Sequence, residues 1–210
     1  MKTTSLVAAA VLLAGCAATP PVSDAEFHAM MKAGFRDQGI AKAARLDQDA
    51  ANAACSKAEG RPLPDDQERA LQAAALATVK PPSDGRYLGD WREGEKLAQN
   101  GRGMTWTDAS AAPAANGGGC YNCHQIGPAE ISYGTIGPSL YRYGANRGVA
   151  DPQAATAKPI VEYTWAKLWN AKSFNACSGM PRFGHLGVLD EGQLKHLMAL
   201  LMDPASPVNR

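Results

Sequence analysis

The stretch GGGCYNCHQIG, residues 117–127, places two cysteines three positions apart and a histidine directly after the second cysteine. Cys-x-x-Cys-His is the attachment pattern of a c-type haem. Each thiol adds to one vinyl group of the porphyrin, and the next residue can then reach the iron. The stretch therefore predicts one covalently bound haem c, anchored by Cys120 and Cys123, with His124 as an axial ligand of the iron.

Zinc sites and dithiol redox switches also use paired cysteines, but the rest of the chain favours neither. A structural zinc site needs a second pair of ligands at suitable spacing. Cys55 and Cys177 each stand alone, and none of the other three histidines lies next to a thiol. A dithiol switch does not need His124 and is expected in a βαβ setting. No run of residues here alternates with the period of a strand.

The N-terminal sequence predicts export and a lipid anchor. Lys2 is followed by a nine-residue apolar run, whereas a helix that spans a bilayer needs about 20 residues. Such a run is typical of a secretory signal. The motif LAGC ending at Cys16 resembles a bacterial lipobox, so residues 1–15 are predicted to be removed and Cys16 to be lipidated. Cleavage after Ala18 is the alternative. The mature chain is predicted to be periplasmic and tethered to a membrane.

The net charge bears on the class of partner, and the remaining cysteines predict a disulfide. The net charge is +1, which gives no reason to expect nucleic acid as a partner. Once the haem motif and the lipobox have taken three of the five cysteines, Cys55 and Cys177 remain. An even pair in an oxidising compartment predicts a disulfide. Its long loop would stabilise the fold by about 3–5 kcal/mol on the chain-entropy model.

The other patterns predict an all-α chain in two parts. Residues 16–85 read as a tether and a helical extension, with a helix over 24–58 and a second that starts at Asp65. Pro and Gly residues at positions 81–85 mark the predicted boundary. Residues 86–210 read as a cytochrome c-like haem domain. Its helices start at Asp90 and Pro159, and an amphipathic helix over 190–202 closes it.

A six-coordinate haem needs a ligand on its other face, and the segment CSGMPRFGH supplies the best candidate. Met180 lies between Gly and Pro in a predicted loop, where core packing explains a methionine poorly. A neutral thioether favours reduced iron and raises the reduction potential. Met180 is therefore the predicted second ligand. The other candidates with a strong donor are His185, Cys177, Met104, His28 and His196.

Three segments in this order resemble one family. GGGCYNCHQIG, GTIGPSLYRYG and FNACSGMPRFGHLG, followed by the amphipathic helix, resemble SoxX, the small monohaem subunit of the SoxAX cytochrome. The resemblance covers about residues 86–203. In small c-type cytochromes a Gly-Pro-x-Leu stretch supplies a backbone carbonyl to the ligand histidine. The resemblance thus implies that the Pro138 carbonyl accepts a hydrogen bond from His124.

The resemblance also implies a function. SoxA and SoxX together act as an L-cysteine S-thiosulfotransferase, which oxidatively joins thiosulfate to a cysteine of the carrier protein SoxY. This chain would be the electron-transfer subunit and would pass electrons to a downstream cytochrome. The sulfur chemistry would lie on the SoxA-like partner. The long extension and the lipid tether depart from the family pattern.

Three other functions use the same motif. A stand-alone lipid-anchored electron carrier needs no dedicated partner, whereas a subunit of another periplasmic dehydrogenase needs a different one. A ligand sensor needs an open or labile position on the iron, which a Met180 ligand would disfavour.

Overall fold

The computed structural model describes residues 22–210, so Cys16 and the predicted signal peptide lie outside the described residues. In this part of the chain the backbone forms seven α-helices, five short 3-10 helices and no β-strand. The prediction of an all-α chain is confirmed for these residues. The helices are α1 (Asp24–Gly34), α2 (Ala50–Ala58), α3 (Asp65–Leu76), α4 (Trp91–Gln99), α5 (Tyr143–Asn146), α6 (Lys158–Trp169) and α7 (Glu191–Met202).

The chain divides into two compact units, one ending at Arg36 and the other running from Asp37 to Arg210. The first unit contains α1, which begins at a reciprocal cap between Ser23 and Glu26. The Glu26 backbone N–H donates to Ser23 Oγ, and the Ser23 N–H donates to the Glu26 carboxylate. No residue of α1 is buried, so capping is its main local source of stability.

The second unit is built on the packing of α4 against α7. A Cβ at Gly94 would lie 2.1 Å from the carbonyl oxygen of His196. Only glycine lets the two backbones approach so closely. The N–H of Asp90 donates to His196 Nδ1 at 2.9 Å, which ties the start of α4 to the middle of α7.

Helix α7 is more buried than its amphipathic pattern predicts. The predicted face, Leu194, Leu197, Met198 and Leu201, is at most 5% exposed. Ala199, Leu200 and Met202 are buried as well, because α4, α5 and α6 all contact this helix. The helix is thus a central element, and Asp190 caps its start by accepting the N–H of Gln193.

The predicted helix over 24–58 is interrupted. Helix α1 ends at Gly34, and α2 does not begin until Ala50. Between them the chain turns at Gly39, whose φ is +51°, a conformation that favours glycine. A Cβ there would also lie 2.5 Å from the Trp106 carbonyl oxygen. The high helix propensity of the segment is overridden by this turn and its tertiary contact.

The boundary predicted at residue 85 does not separate compact units. Residues 37–85 belong to the same unit as the predicted haem domain. Helices α2 and α3 bury no residue fully and depend on contacts with the C-terminal half. Asn170 Nδ2 donates to Thr78 Oγ1 at 3.0 Å, and the Trp165 indole donates to the Lys80 carbonyl at 2.7 Å. None of the helices found among residues 22–210 is both long and apolar enough to cross a bilayer.

Candidate functional site

The two motif cysteines and the histidine lie on one tight turn. Gly119 enters it with a φ of +56°, and a 3-10 helix follows over Cys120–Asn122. The N–H groups of Cys123 and His124 both donate to the Cys120 carbonyl, at 3.1 and 2.9 Å. This turn brings both thiols and the imidazole to one place on the surface of the core.

Both motif cysteines are free thiols, and the burial of Cys120 differs from the setting of a reactive redox thiol. Cys120 packs against the hydrophobic core, and this burial raises the pKa of its thiol to about 12. Redox switches and thiolate metal sites need the ionised form. Within residues 22–210, no three or more His, Cys, Asp or Glu side chains are grouped to hold a metal ion.

The His124 ring is held in one orientation. Its Nδ1 lies 2.7 Å from the Pro138 carbonyl oxygen. A carbonyl can only accept, so Nδ1 carries the proton and Nε2 keeps its lone pair for a metal. The ring lies directly against Gly137, where a Cβ would come within 2.1 Å of His124 Cε1. Gly137 is thus required for the imidazole to lie against this loop.

Backbone hydrogen bonds join the segment after the motif to the motif itself. Gly134 N–H donates to the Tyr121 carbonyl and Gly137 N–H to the Cys123 carbonyl, both at 2.8 Å. Leu140 N–H donates to the Gln125 carbonyl at 2.7 Å. We call residues 120–140, joined in this way, the histidine arm. A Cβ at Gly134 would lie 1.9 Å from the Asn122 carbonyl oxygen, so this glycine is needed for the close approach as well.

Tyr121 is a structural residue of this arm that sequence reasoning missed. Its hydroxyl donates to Glu95 Oε1 at 3.1 Å and accepts the Gly127 N–H at 3.0 Å. Burial, together with the neighbouring Glu95 carboxylate, raises the pKa of Tyr121 to about 12. The residue therefore links α4 to the histidine arm as a neutral phenol. The variable position of a Cys-x-x-Cys-His motif carries no signal that could have predicted this.

Met180 lies in a second segment, residues 176–183, which we call the methionine arm. Its ends are anchored by Ala176 and Phe183, which are 0% and 4% exposed. Met180 itself is half-buried and packs against the same hydrophobic core as Cys120 and Leu140 of the histidine arm. Met180 of one arm and Cys120 and Leu140 of the other thus pack on one core.

The other candidates for the second ligand lie in different settings. Cys177 forms a disulfide with Cys55, and His196 Nδ1 accepts the Asp90 N–H. His185 is exposed. Met104 has a φ of +65° in its loop, and its carbonyl accepts a hydrogen bond from Arg45. His28 belongs to the unit that ends at Arg36.

Two cross-links reach the methionine arm from α2. Cys55, within the helix, is bonded to Cys177, with the two Cα atoms 5.5 Å apart. Asp49, which caps the helix, pairs with Arg182. The Asp49 carboxyl has a lowered pKa: burial acts to raise it, but the Asn52 N–H and the Arg182 pair outweigh that effect. Sequence reasoning predicted the disulfide and missed the ion pair.

The residues present fit a covalent haem. Two free thiols at the required spacing lie beside an imidazole whose Nε2 keeps its lone pair, and a thioether packs on the same core. In addition, the indole Nε1 of Trp169 is buried without a protein acceptor. Trp169 packs against this core, and a buried donor of this kind suits a ligand that brings its own oxygen atoms, as a haem propionate does.

Comparisons with known proteins give a relative of unknown function but no matching family model. No protein-family model matches the chain. An uncharacterized lipoprotein of Aquifex aeolicus (strain VF5) is 38% identical to it over 138 residues. The matched region is 64% of this chain and 59% of the relative, so the chain spans about three-fifths of the length of that protein. The relative's name gives no function.

Proposed function

We propose that this protein is a c-type cytochrome with one covalent haem. The observation that carries the proposal is the 2.7 Å hydrogen bond between His124 Nδ1 and the Pro138 carbonyl. It orients an imidazole within the same turn as two free cysteines, with Nε2 left for iron. Ligand histidines in metal proteins are usually oriented in this way by a second hydrogen bond.

Each residue of the site has a separate task. A haem c held there supplies a one-electron Fe(III)/Fe(II) couple. Cys120 and Cys123 anchor it, and Pro138 fixes the orientation and tautomer of His124. Met180 offers a neutral sulfur, which favours the reduced state of iron. The buried core behind Cys120 and Met180 keeps water away from one side of the site.

Within this class we infer that the chain is the electron-transfer subunit of a SoxAX-type L-cysteine S-thiosulfotransferase. Joining thiosulfate to a cysteine thiol forms a sulfur–sulfur bond and releases one proton and two electrons, which need an acceptor. The order of the motif, GPSL and MPRFG segments supports this reading. A SoxA-like partner would carry the sulfur chemistry on SoxY, and a downstream cytochrome would take the electrons.

The site of action is proposed to be the periplasm, with Cys16 lipidated. The LAGC sequence that ends at Cys16 supports lipidation, and so does the lipoprotein name of the Aquifex relative. Attachment to a membrane surface would keep the electron carrier close to its partners. It also requires no spanning helix, since the acyl chains provide the anchor.

The test is affinity purification of the full chain from the native membrane and periplasmic fractions. We expect a mass increased by one haem in the wild type and no increase in Cys120→Ser/Cys123→Ser. A haem-bearing partner should purify with it, and the haem should be reduced by thiosulfate only when the carrier protein is added. A lone haem protein would favour the stand-alone electron carrier. A wild-type chain without haem would refute both functions.

A further inference from the structure

The methionine arm is attached to α2 on both sides of Met180. The disulfide joins it at Cys177, three residues before Met180, and the ion pair joins it at Arg182, two residues after. Both partners come from the start of the compact unit, 122 and 133 positions earlier in the sequence. Two long-range cross-links therefore bracket the residue that we propose as the second iron ligand.

The two cross-links share one rigid support. Asp49 is the N-cap of α2 and accepts the Asn52 N–H at 2.8 Å, while Cys55 lies within the same helix. Six residues of helix span about 9 Å, and a helix holds this separation fixed. The two points on the methionine arm therefore cannot move independently of each other.

Between the cross-links, the Met180 side chain packs on the core, but the backbone around it has little support of its own. The Met180 N–H donates only locally, to Ser178 Oγ at 3.2 Å. A Cβ at Gly179 would meet nothing within 4 Å. At the entrance to the arm, Lys172 Nζ donates to the Ala176 carbonyl at 2.9 Å. The backbone beside Met180 is therefore held mainly through its ends.

The ion pair between Asp49 and Arg182 is partly buried, so its loss should affect the methionine arm. The Arg182 side chain is 14% exposed and that of Asp49 is 41% exposed. Removing the carboxylate would leave a mostly buried guanidinium without its counter-charge, which costs more than losing an exposed pair. The pair thus keeps Arg182, and with it the C-terminal end of the arm, against α2.

We propose that α2 and its cap form a clamp whose function is to hold Met180 on the haem iron. Asp49, Cys55, Cys177 and Arg182 are positioning residues in this arrangement. The inference rests on the proposed haem function and gives a role to residues 37–58, which the SoxX-like motifs leave unexplained. The clamp reduces the fraction of molecules in which the sulfur has left the iron, and it thereby resists replacement of Met180 by another ligand.

The test is a titration of the oxidised, haem-loaded full chain with imidazole, which competes with Met180 for iron and changes the visible spectrum. We expect imidazole to bind about tenfold more tightly to Cys55→Ser/Cys177→Ser than to the wild type, which corresponds to about 1.4 kcal/mol of lost preorganisation. For Asp49→Asn we expect a gain of roughly two- to fivefold, in keeping with the worth of a partly exposed ion pair.

Asp49→Asn is a clean variant because asparagine caps a helix as well as aspartate does, so α2 should stay intact. Asp90→Asn is the matched control. Asp90 caps α4 through the Arg92 N–H and pairs with the Arg92 side chain, and neither interaction involves the methionine arm. We expect its imidazole affinity to equal that of the wild type.

Met180→Ala separates failure of the clamp from failure of the proposed site. If its spectrum and imidazole affinity equal those of the wild type, Met180 is not a ligand and the proposed ligand pair is wrong. If Met180→Ala binds imidazole more tightly but Cys55→Ser/Cys177→Ser and Asp49→Asn behave like the wild type, the ligand stands and the clamp is refuted. Hydrogen exchange of the Met180 and Arg182 amides gives a second reading. It should quicken in both clamp variants and not in Asp90→Asn.

Discussion

The two arms of the candidate site are held in place by different means. The histidine arm is stabilised by residues within its own 120–140 stretch, through backbone hydrogen bonds and the bond from His124 to the Pro138 carbonyl. The methionine arm is fixed from Asp49 and Cys55, more than 120 positions away. The first is held mainly by bonds within its own stretch, with Tyr121 joining it to Glu95 of α4, and the second is held by cross-links from distant positions in the sequence. Substitutions in residues 37–58 should therefore change the position of Met180 and leave that of His124 unchanged.

The largest expected effect is loss of the disulfide. Cys55→Ser/Cys177→Ser opens a loop with a sequence separation of 122, and it should lower the free energy of unfolding by about 4 kcal/mol. Urea unfolding of the variant against the wild type measures this. Amide exchange should rise first at residues 37–58 and in the methionine arm, while the Gly137 amide stays protected. Equal loss of protection in both arms would contradict the distinction between them.

A methyl group on the histidine arm should have the next largest effect. In Gly137→Ala the new Cβ would lie 2.1 Å from His124 Cε1, so the ring or the loop must move. We expect a loss of about 1–3 kcal/mol in unfolding free energy, typical of overpacking, together with a changed visible spectrum of the haem form.

Gly179→Ala is the matched control on the methionine arm. A Cβ at Gly179 would meet nothing within 4 Å, so this variant should differ from the wild type by less than about 0.5 kcal/mol, as surface substitutions usually do. If the two alanine variants were equally stable, the close contact between Gly137 and His124 would not constrain the ring.

The features that the sequence predicts are mainly the local ones, and those that it misses depend on long-range contacts. The fixed Cys-x-x-Cys-His spacing predicts haem-binding roles for Cys120, Cys123 and His124, which stay predictions, and the amphipathic pattern correctly predicted α7. The Cys55–Cys177 pairing was predicted from the number of cysteines left over. In each of these features, residue type or local spacing is enough to predict the structure.

The remainder depends on contacts that no local pattern encodes. Arg182 and Asp49 are ordinary charged residues until the fold brings them together, and Tyr121 occupies a variable position of its motif. The helix predicted over 24–58 is interrupted between Gly34 and Ala50, where the chain turns at Gly39 against the Trp106 carbonyl. The boundary predicted at residue 85 rests on the Pro and Gly residues there. Both sides belong to one compact unit, because Asn170 bonds to Thr78 and Trp165 bonds to Lys80.

Tyr121 allows a pH test of the histidine arm. Tyr121→Phe removes the acceptor of the Gly127 N–H and should cost about 1–2 kcal/mol at pH 8. The folded pKa of about 12 lies above the ordinary value of 10. The folded state therefore keeps a proton that the unfolded state loses, and wild-type stability should fall by about 1.4 kcal/mol per pH unit between pH 10 and 12.

Tyr121→Phe should lack that contribution, so the difference between the two proteins should shrink on going from pH 8 to pH 11. Urea unfolding at both pH values measures it, and the subtraction removes the effect of other tyrosines that titrate in this range. A constant difference would mean that the Tyr121 hydroxyl is not buried against Glu95.

The smallest expected effect concerns the ion pair on the methionine arm. Asp49 has a folded pKa below its ordinary value of 3.8, so its contribution is present above that value and is lost as the pH falls through the folded pKa. Because the Asp49 side chain is 41% exposed, solvent screening limits the contribution to less than about 1 kcal/mol. Asp49→Asn should therefore be slightly less stable than the wild type at pH 7 and equal to it near pH 2.

Measuring both the unfolding free energy and imidazole binding of Asp49→Asn shows whether the ion pair positions Met180. A pair that merely adds surface stability would change the unfolding free energy and leave imidazole binding unaltered. A pair that positions Met180 would also change imidazole binding, by up to the free energy that it contributes to unfolding, and salt should weaken both effects together because the Asp49 side chain is open to solvent. If salt changes the unfolding free energy but not imidazole binding, Asp49 and Arg182 contribute to stability alone. The disulfide would then hold the methionine arm without them.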